Sequence, residues 1–262
     1  MSGYYRRLPH RCKVSMRISV VTVCYNSART IRDTLSSVQE QDWHDLEHII
    51  IDGASGDATA DIINEFSRAE LKFFSGPDNG IYDAMNKGIM KSTGEYIIFL
   101  NSDDFFARPD AVRLIAMHAM KTDADFIFAD TQFVATKGDP FSRRLYSAQK
   151  FQPWWLRFGV MPPHPSMASR RKILVTLNGF DAETRIAGDF DLLARAILRD
   201  NCTWATLPVI TTMFRTGGAS TQGLRSKLTV GHEMARSLSR IGQPFSNVAV
   251  HFRYLIKARQ LL

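Results

Sequence analysis

The sequence predicts an α/β fold in which a mostly parallel, Rossmann-like sheet is flanked by helices. Between residues 18 and 129, short apolar runs rich in β-branched residues alternate with segments of helical periodicity. Such alternation is typical of parallel strands joined by right-handed crossover helices. The run over residues 18–25 is apolar and β-branched almost throughout, which indicates a parallel strand that is buried on both faces. A chain of 262 residues is also long enough to bury such a core.

Five strands and four helices are predicted in the first half of the chain. Each predicted helix carries apolar residues three or four positions apart, as Ile31, Leu35 and Val38 do. The predicted strands are residues 18–25, 46–51, 71–74, 96–100 and 126–129, and the predicted helices are residues 28–39, 59–66, 81–91 and 111–120.

After residue 131 the pattern is less regular. The prolines at 162, 163 and 165 predict an irregular loop, because proline cannot donate a backbone hydrogen bond. A helix is predicted over residues 190–199, and two basic, amphipathic helices are predicted after residue 221. We therefore divide the chain into an N-terminal basic tail (1–15), a main domain (16–220) and a basic helical C-terminal extension (221–262).

The net charge of +7 is concentrated at the two ends of the chain. Residues 1–17 contain five Lys or Arg and no acidic residue. Residues 224–262 contain seven Lys or Arg and one acidic residue, so the segment between them has a net charge of −4. A nucleic-acid-binding groove would place basic residues across the folded body, so this distribution argues against a nucleic-acid partner. Basic ends are better suited to an anionic membrane surface.

The C-terminal extension has two interpretations. Its two helices could lie in a membrane interface and bring the protein to a lipid-linked acceptor, as a peripheral membrane contact. Alternatively, the first helix packs on the body and leaves a basic face in solvent. The apolar stripe that either interpretation uses consists of Leu224, Leu228, Met234, Leu238 and Ile241.

Cysteine content and hydropathy predict the compartment. Cys12, Cys24 and Cys202 are isolated, which fits a reducing environment and no disulfide framework. No apolar run approaches the roughly 18 residues of a membrane-spanning helix, and the first residues lack the apolar stretch of a signal peptide. We expect a cytoplasmic protein, in contact with the inner face of the cytoplasmic membrane if the extension is interfacial.

The segment Asn101-Ser102-Asp103-Asp104 directly follows a predicted strand. Two adjacent carboxylates behind an apolar strand are costly unless a cation neutralises them. A divalent ion with oxygen ligands can do so, and it can bridge the two phosphates of a nucleoside diphosphate. Alternatively, the segment is a turn or a helix cap, which Asn, Ser and Asp also favour.

Two further polar segments follow predicted strands, where ligands of parallel sheets bind. Asp52 opens a loop of small residues and could accept hydrogen bonds from a base or ribose, although a tight turn would explain the loop equally well. Asp78 opens an Asn-Gly turn before the helix 81–91. In that helix, Asn86 and Lys87 could face the same edge of the sheet.

Asp189 follows Gly188 at the start of a predicted helix. It is either a helix cap or, if the helix start faces the strand ends, a general base for an acceptor hydroxyl. His164 could orient an acceptor or a diphosphate, and Trp154 could contact a sugar or a lipid. A single His and a pair of aromatic residues are also common as plain structure.

Five segments, in this order, resemble glycosyltransferase family 2, a family of inverting enzymes with the GT-A fold. The resemblance covers residues 16–215, and the order and spacing of the segments make it more specific than any one of them. The segments are SVVTVCYN (19–26), DGASGDAT (52–59), DNGIYDAMNKG (78–88), FLNSDD (99–104) and GDFDL (188–192).

This resemblance implies roles for individual residues. Asp103 is expected to bind a divalent metal, Mg²⁺ or Mn²⁺, Asp52 to contact the nucleotide base, and Asp189 to act as the catalytic base. The chain departs from the family at Asn101 and Gly188, where the family has Asp and Glu. The other residues expected to bind the nucleotide sugar are Thr22, Tyr25, Asn26, Asp78, Asn86, Lys87 and Ser102, and the candidate contacts of acceptor or diphosphate are His164, Trp154 and Asp104.

The resemblance also implies an activity: transfer of a sugar from a nucleotide-sugar donor, a UDP-sugar, to a hydroxyl of a lipid-linked or polysaccharide acceptor, as in bacterial members that build polysaccharide or glycolipid. Residues 16–130 would form the nucleotide-binding half and residues 131–220 the acceptor half. Two other functions stay open. A nucleotidyltransferase that forms sugar nucleotides would carry a Gly-rich basic loop after its first strand, and a non-catalytic scaffold would bind the sugar nucleotide without turnover.

Overall fold

The computed structural model describes residues 16–66, 68–134, 144–215 and 223–243. The predicted alternation of strands and helices in the first half of the chain is confirmed. Its elements are β1 (Ile18–Cys24), α1 (Ile31–Gln39), β2 (Leu46–Asp52), α2 (Thr59–Glu65), β3 (Leu71–Ser75), α3 (Ile81–Lys91), β4 (Tyr96–Phe99), β5 (Phe105–Phe106), α4 (Ala111–Thr122) and β6 (Phe126–Val134).

The second half has shorter elements joined by irregular segments. The proline loop runs into a 3₁₀ turn, and α6 continues directly into a π-helical segment, so that the two together form the predicted helix over 190–199. The elements are β7 (Leu145–Tyr146), a 3₁₀ helix (Pro153–Phe158), the 3₁₀ turn (His164–Ser166), β8 (Met167–Arg170), α5 (Arg171–Thr176), α6 (Gly188–Leu193), the π-helix (Ala194–Arg199), β9 (Trp204–Arg215) and α7 (Gly223–Arg240).

The strands of the described residues form one mixed sheet in the order β3-β2-β1-β4-β8-β6-β9-β5, with β7 paired to β6. The strands β3, β2, β1 and β4 are parallel, as the alternation predicts. The second half differs, because β8 runs antiparallel to both β4 and β6. An antiparallel neighbour does not require a crossover helix, and the described residues between β7 and β8 contain no α-helix.

Helices cover both faces of the sheet. Side chains alternate between the two faces along each strand, so that Val21 and Phe99 belong to one apolar cluster and Val20 and Ile98 to another. The first cluster includes residues of α3, α5, α6 and α7, and the second includes residues of α4. The carboxyl ends of β1 and β4 are left for the cleft described below.

Glu47 links the amino-terminal parts of several strands. Its side chain is fully buried and accepts hydrogen bonds from Ser19 Oγ (2.6 Å), the backbone N–H of Thr93 (2.6 Å) and Lys72 Nζ (2.8 Å). Burial by itself would raise the pKa of Glu47, but these hydrogen bonds lower the pKa to about 2. The carboxylate therefore stays ionised and connects β1, β2, β3 and the turn before β4.

The helix α7 packs on the body of the domain through its apolar stripe. Met234 and Leu238 are buried and Ile241 packs against the same cluster, so this part of the stripe is not available to a membrane. The second helix predicted for the C-terminal extension, and the tail of residues 1–15, lie outside the described residues. Within the described ranges, no helix is both long enough and apolar enough to cross a membrane.

Candidate active site

A cleft of about 1050 Å³ lies at the carboxyl ends of β1 and β4. Its volume suits a ligand of nucleotide-sugar size, since ligand sites usually enclose ~300–1,000 Å³. The loop after β1, the start of α3 and the turn between β4 and β5 line one part of it. The proline loop, the segment before α6, the helix α7 and residues of β6, β7 and β9 line other parts. Its polar lining includes Tyr25, Asn26, Asp78, Asn101, Ser102, Asp103, His164, Arg185 and Asp189.

The loops after β1 and β2 are joined by hydrogen bonds. Asn26 has a left-handed backbone conformation (φ 49°), which its short polar side chain tolerates. Its Oδ1 accepts a hydrogen bond from the N–H of Gly56 (2.9 Å), and its own N–H donates to Ser55 Oγ (2.8 Å). Asp57 accepts a further hydrogen bond from the N–H of Ala28 (3.1 Å). These contacts fix the loop that carries Tyr25 and Asn26 into the cleft.

Asp52, the expected base contact, is not among the residues that line the cleft. Its side chain is buried and accepts hydrogen bonds from the N–H and hydroxyl of Ser55 and from Ser75 Oγ (2.7 Å). The thiol of Cys24 also lies against the carboxylate (3.6 Å). With these partners Asp52 holds the ends of β2 and β3 and the following loop together.

Asp78 and Tyr25 come together at the edge of the cleft beside Gly53. A Cβ atom on Gly53 would lie 2.6 Å from Asp78 Oδ2 and 3.4 Å from the Tyr25 ring, so the glycine creates the space that both side chains occupy. Tyr25 is 66% exposed, which leaves its ring free to stack on a planar group. A flat ring beside a carboxylate is suited to binding a nucleoside.

The segment Asn101–Asp103 brings oxygen atoms to the cleft from the end of β4. Ser102 Oγ is hydrogen-bonded to Ser27 Oγ (2.8 Å), which joins this segment to the loop after β1. Asn101 Oδ1 is buried and has no hydrogen-bond partner among the described residues. Burial also raises the pKa of Asp103, so a nearby cation would favour the ionised form of its carboxylate.

These oxygens fit a divalent ion that takes its remaining ligands from elsewhere. The described residues contain no group of three or more His, Cys, Asp or Glu side chains that could hold a metal ion by themselves. Mg²⁺ is commonly bound by one or two carboxylates together with water and substrate phosphates. Asp103, with the unpaired Oδ1 of Asn101, matches that type of site.

Asp104 lies behind this segment and does not line the cleft. It is fully buried, and its Oδ1 accepts a hydrogen bond from the N–H of Arg215 (3.2 Å). Burial, with the neighbouring Asp103, raises the pKa of Asp104 well above its usual value. Arg215 also donates to the carbonyl of Asp103 (3.3 Å), so the end of β9 supports the turn. In this position the Asp104 carboxylate lies outside the cleft lining, and its Oδ2 has no hydrogen-bond partner among the described residues.

Asp189 enters the cleft from the start of α6. The N–H of Phe190 donates to its Oδ1 (2.8 Å). Burial raises the pKa of Tyr82 well above its usual value, and the charge of the Asp189 carboxylate adds to that shift. A Cβ atom on Gly188 would lie 2.7–2.9 Å from the Tyr82 ring. A side chain at position 188 would therefore require the Tyr82 ring to move.

His164 lines the cleft from the 3₁₀ turn after the proline loop. Its ring stacks on Phe99, with 6.1 Å between ring centroids, and packs edge-on against Phe180. Burial lowers the pKa of His164, so the ring is neutral. Its Nε2 is buried without a hydrogen-bond partner among the described residues, which leaves one ring nitrogen for a ligand.

Thr22 and Asn86 do not line the cleft. Thr22 is fully buried and hydrogen-bonded to the ring of His48 (2.9 Å). The amide of Asn86 makes two hydrogen bonds to the backbone of Phe180, at 2.8 and 2.9 Å. Both side chains are thus paired within the protein.

Lys87 and Trp154 also lie outside the cleft lining. Lys87 Nζ donates to the carbonyl of Pro77 (2.9 Å) and forms an ion pair with Asp83 (3.1 Å). It therefore supports the turn that carries Asp78. Trp154 is 51% exposed and packs edge-on against Trp155 and Phe158, so it is not placed to contact a ligand in the cleft.

Several lining residues carry no sequence signal that would have identified them. Arg29 is near the end of β1 in the sequence, so its place in the cleft could have been expected. The tertiary fold alone brings four other residues to the cleft: Tyr146, Arg185, Val230 and Met234. The apolar stripe of α7 left both a packed helix and an interfacial helix open, and it does not predict which pocket the helix lines.

The sequence is similar to those of known glycosyltransferases. The sequence model described as "Glycosyl transferase family 2" matches residues 19–177. An uncharacterized glycosyltransferase of Mycobacterium tuberculosis is 32% identical over 193 residues, which cover 69% of each chain. A PGL/p-HBAD biosynthesis glycosyltransferase of Mycobacterium bovis is 27% identical over 181 residues, or 68% of each chain. A putative teichuronic acid biosynthesis glycosyltransferase of Bacillus subtilis is 28% identical over 135 residues, or 50% of this chain and 53% of the relative.

Solved structures share the fold at lower sequence identity. The structure of S. aureus TarS 1–349 in complex with UDP-GlcNAc is 17% identical, with a TM-score of 0.70 over 91% of this chain and 73% of that one. A mannosyltransferase from Pyrobaculum calidifontis, in complex with GDP-Man and Mn²⁺, is also 17% identical, with a TM-score of 0.66 over 91% and 69%.

Proposed function

Because the chain belongs to glycosyl transferase family 2 and has its GT-A fold, we propose that it transfers a sugar from a UDP-sugar to an acceptor hydroxyl with inversion at the anomeric carbon. The observation that carries this proposal is that Asp103 and Asp189, from opposite halves of the chain, line one cleft. One carboxylate is suited to the metal and the other to a general base. Residues 16–130 would supply the donor side and residues 131–220 most of the acceptor side.

The donor side of the cleft has groups for each part of a nucleoside diphosphate. Tyr25 offers a face for the base, and Asp78 offers carboxylate oxygens for base or ribose hydrogen bonds. Asn101 and Asp103 would hold a divalent metal, Mg²⁺ or Mn²⁺, with Ser102 beside them. When bound, such an ion supplies Lewis-acid stabilisation of the departing diphosphate. Arg29 also lines the cleft and adds a positive charge near the phosphates.

On the acceptor side, Asp189 would take the proton from the attacking hydroxyl. That oxygen would then attack the anomeric carbon from the face opposite the diphosphate, which inverts the configuration without a covalent enzyme intermediate. His164, held neutral by burial, would orient the acceptor or the donor phosphates through its free ring nitrogen. Asp189, Asp103 and His164 are thus the chain's own groups in the proposed reaction.

For the acceptor we propose a lipid-linked or polysaccharide hydroxyl. The mycobacterial and Bacillus relatives bear names that refer to PGL/p-HBAD and to teichuronic acid biosynthesis, and both names support an envelope product. The cleft also combines apolar lining from Met161, Val230 and Met234 with the charge of Arg185. Such a mixed lining suits an acceptor that has both apolar and polar parts.

The deciding experiment is a screen of UDP- and GDP-sugars with Mn²⁺ or Mg²⁺, first by thermal stabilisation and then by release of the nucleotide in the presence of lipid-linked and saccharide acceptors. Metal-dependent stabilisation by UDP-sugars with acceptor-dependent UDP release is expected. A non-catalytic scaffold would bind the donor and release no nucleotide with any acceptor. Inorganic pyrophosphate consumption or formation would instead indicate a nucleotidyltransferase and would contradict the proposal.

The proposed cytoplasmic location with peripheral membrane contact rests on the basic extension. Because Met234, Leu238 and Ile241 of the α7 stripe are packed on the domain, we expect residues 244–262 to supply much of that contact. Co-sedimentation with vesicles containing anionic lipid should fall when residues 244–262 are removed. Equal sedimentation of the two chains would rule out membrane contact through this segment.

A further inference from the structure

Glu233 in α7 makes an unusual set of contacts with the segment before α6. Its Oε1 accepts a hydrogen bond from the N–H of Arg185 (2.9 Å), and its Oε2 accepts hydrogen bonds from the N–H groups of Ile186 (3.0 Å) and Ala187 (2.9 Å). A carboxylate that receives three consecutive backbone N–H groups forms charge-assisted bonds, which are stronger than neutral ones. Glu233 therefore fixes the path of residues 185–187.

The same segment is held from its other side by Tyr82 of α3. The hydroxyl of Tyr82 donates to the carbonyl of Ile186 (2.5 Å), and its ring lies against Gly188. Asp189 follows directly. Its backbone position is thus set by two residues, Glu233 and Tyr82, neither of which is close to it in sequence.

The docking of α7 does not depend on Glu233 alone. Met234 and Leu238 of the same helix are buried in the apolar core. Arg236 and Arg240 form ion pairs with Glu183 and Asp181. These ion pairs are partly exposed and contribute little stability, whereas the buried apolar residues contribute most. Loss of the Glu233 carboxylate should therefore release the segment 185–187 and leave α7 in place.

We propose that Glu233 is a positioning residue, which holds the segment 185–187 and thereby sets the geometry of the Asp189 carboxylate. This inference rests on the proposed function of Asp189 as the base. It predicts an effect on turnover and not on donor binding, because the donor groups Tyr25 and Asp78 belong to other loops. Misplacing a reacting group by about 1 Å can reduce the rate ~10²-fold.

The test compares Glu233→Ala and Glu233→Gln with Arg236→Ala, a control that removes an ion pair of α7 and leaves the three N–H bonds intact. Amide hydrogen exchange in residues 185–187 is expected to be at least about tenfold faster in Glu233→Ala, with exchange in the rest of α7 unchanged. The kcat should fall roughly 10- to 100-fold while the KM for the UDP-sugar stays within about twofold. Glu233→Gln should recover part of the rate, since its amide oxygen can still accept hydrogen bonds.

Unchanged exchange at 185–187 in both Glu233 variants would overturn the inference, and so would faster exchange with an undiminished kcat. If Glu233→Ala does not fold, the amide hydrogen exchange and the kcat of Glu233→Gln decide whether the inference holds. Failure of the proposed function is distinguishable. In that case Asp189→Asn would keep its turnover, while the exchange measurement would still report whether Glu233 holds the segment.

Discussion

At the scale of single residues, the most specific chemical prediction is that Asp189 is the general base. Asp189→Asn keeps the shape of the side chain but cannot take a proton, so kcat should fall by roughly 10²–10⁴-fold. Thermal stabilisation by UDP with Mn²⁺ should be unchanged. Asp61→Asn, an exposed change in α2, is the matched control and should have wild-type kcat. Undiminished transfer by Asp189→Asn would exclude it as the base.

Gly53 provides a test of the nucleoside site that leaves the core intact. A methyl group at this position would displace the Asp78 carboxylate and crowd the Tyr25 ring. Gly53→Ala should raise the Kd for UDP about tenfold, equivalent to ~1.4 kcal/mol, with little change in Tm because the displaced group is the end of a side chain. Gly56→Ala, where nothing lies within 4 Å of the added methyl group, should bind UDP normally. Equal affinities for the two variants, measured by calorimetry, would contradict the assignment.

The sequence predicts where a candidate residue lies in the sheet, but it does not predict which way its side chain points. A position at the carboxyl end of a parallel strand predicts the correct edge of the sheet, and Asn26 and Asp103 lie in the cleft for that reason. It does not predict which partners a side chain meets there. Asp52 occupies such a position but is bound by Ser75, which lies on a different strand. Pairings of this kind depend on strand order and register, which the local pattern does not contain.

At the scale of secondary-structure elements, the Glu47 network predicts a pH dependence of stability. The pKa of Glu47 is lowered from 4.5 to about 2 in the folded protein, so its contribution is complete above pH ~4.5 and is lost as the pH falls toward 2. The size of the shift corresponds to about 3 kcal/mol. Glu47→Gln should lower the free energy of unfolding near pH 7 by an amount of this order and flatten its decline between pH 4.5 and 2.

Urea denaturation at several pH values would measure this effect. Glu65→Gln, which removes an exposed carboxylate paired with Arg32, is the control and should cost less than ~1 kcal/mol. Equal losses in the two variants would mean that the buried network does not stabilise the strands.

Most elements of the first half were predictable because each has a strong pattern of its own. The apolar, β-branched runs of β1, β2, β3, β4 and β6 and the 3.6-residue period of α1 to α4 are local properties of the sequence. The two-residue strand β5 has no such pattern and was not predicted. The antiparallel strand β8 is four residues long and follows prolines, so it has no comparable pattern. Its place between β4 and β6 is decided by the space that those strands leave.

At the scale of the whole molecule, ligand binding should appear as global stability. A nucleotide that binds only the folded state at 100 times its Kd stabilises that state by ~2.7 kcal/mol, which raises the Tm of a domain of this size by about 5–10 °C. We expect such a shift with UDP and Mn²⁺, and its loss in EDTA. Asp103→Asn should weaken the metal-dependent part of the shift. A full shift in EDTA would contradict the proposed role of the metal.

The position of β8 limits where this protein can be divided into fragments. The proposed donor half (residues 16–130) and acceptor half (131–220) share one sheet: β8, from the acceptor half, lies between β4 and β6, which begin in the donor half. A fragment ending near residue 134 would expose the edges of both β4 and β6, and unpaired strand edges promote aggregation. Acceptor specificity could therefore be exchanged between relatives by grafting loops and α7, but not by swapping halves at the middle of the chain.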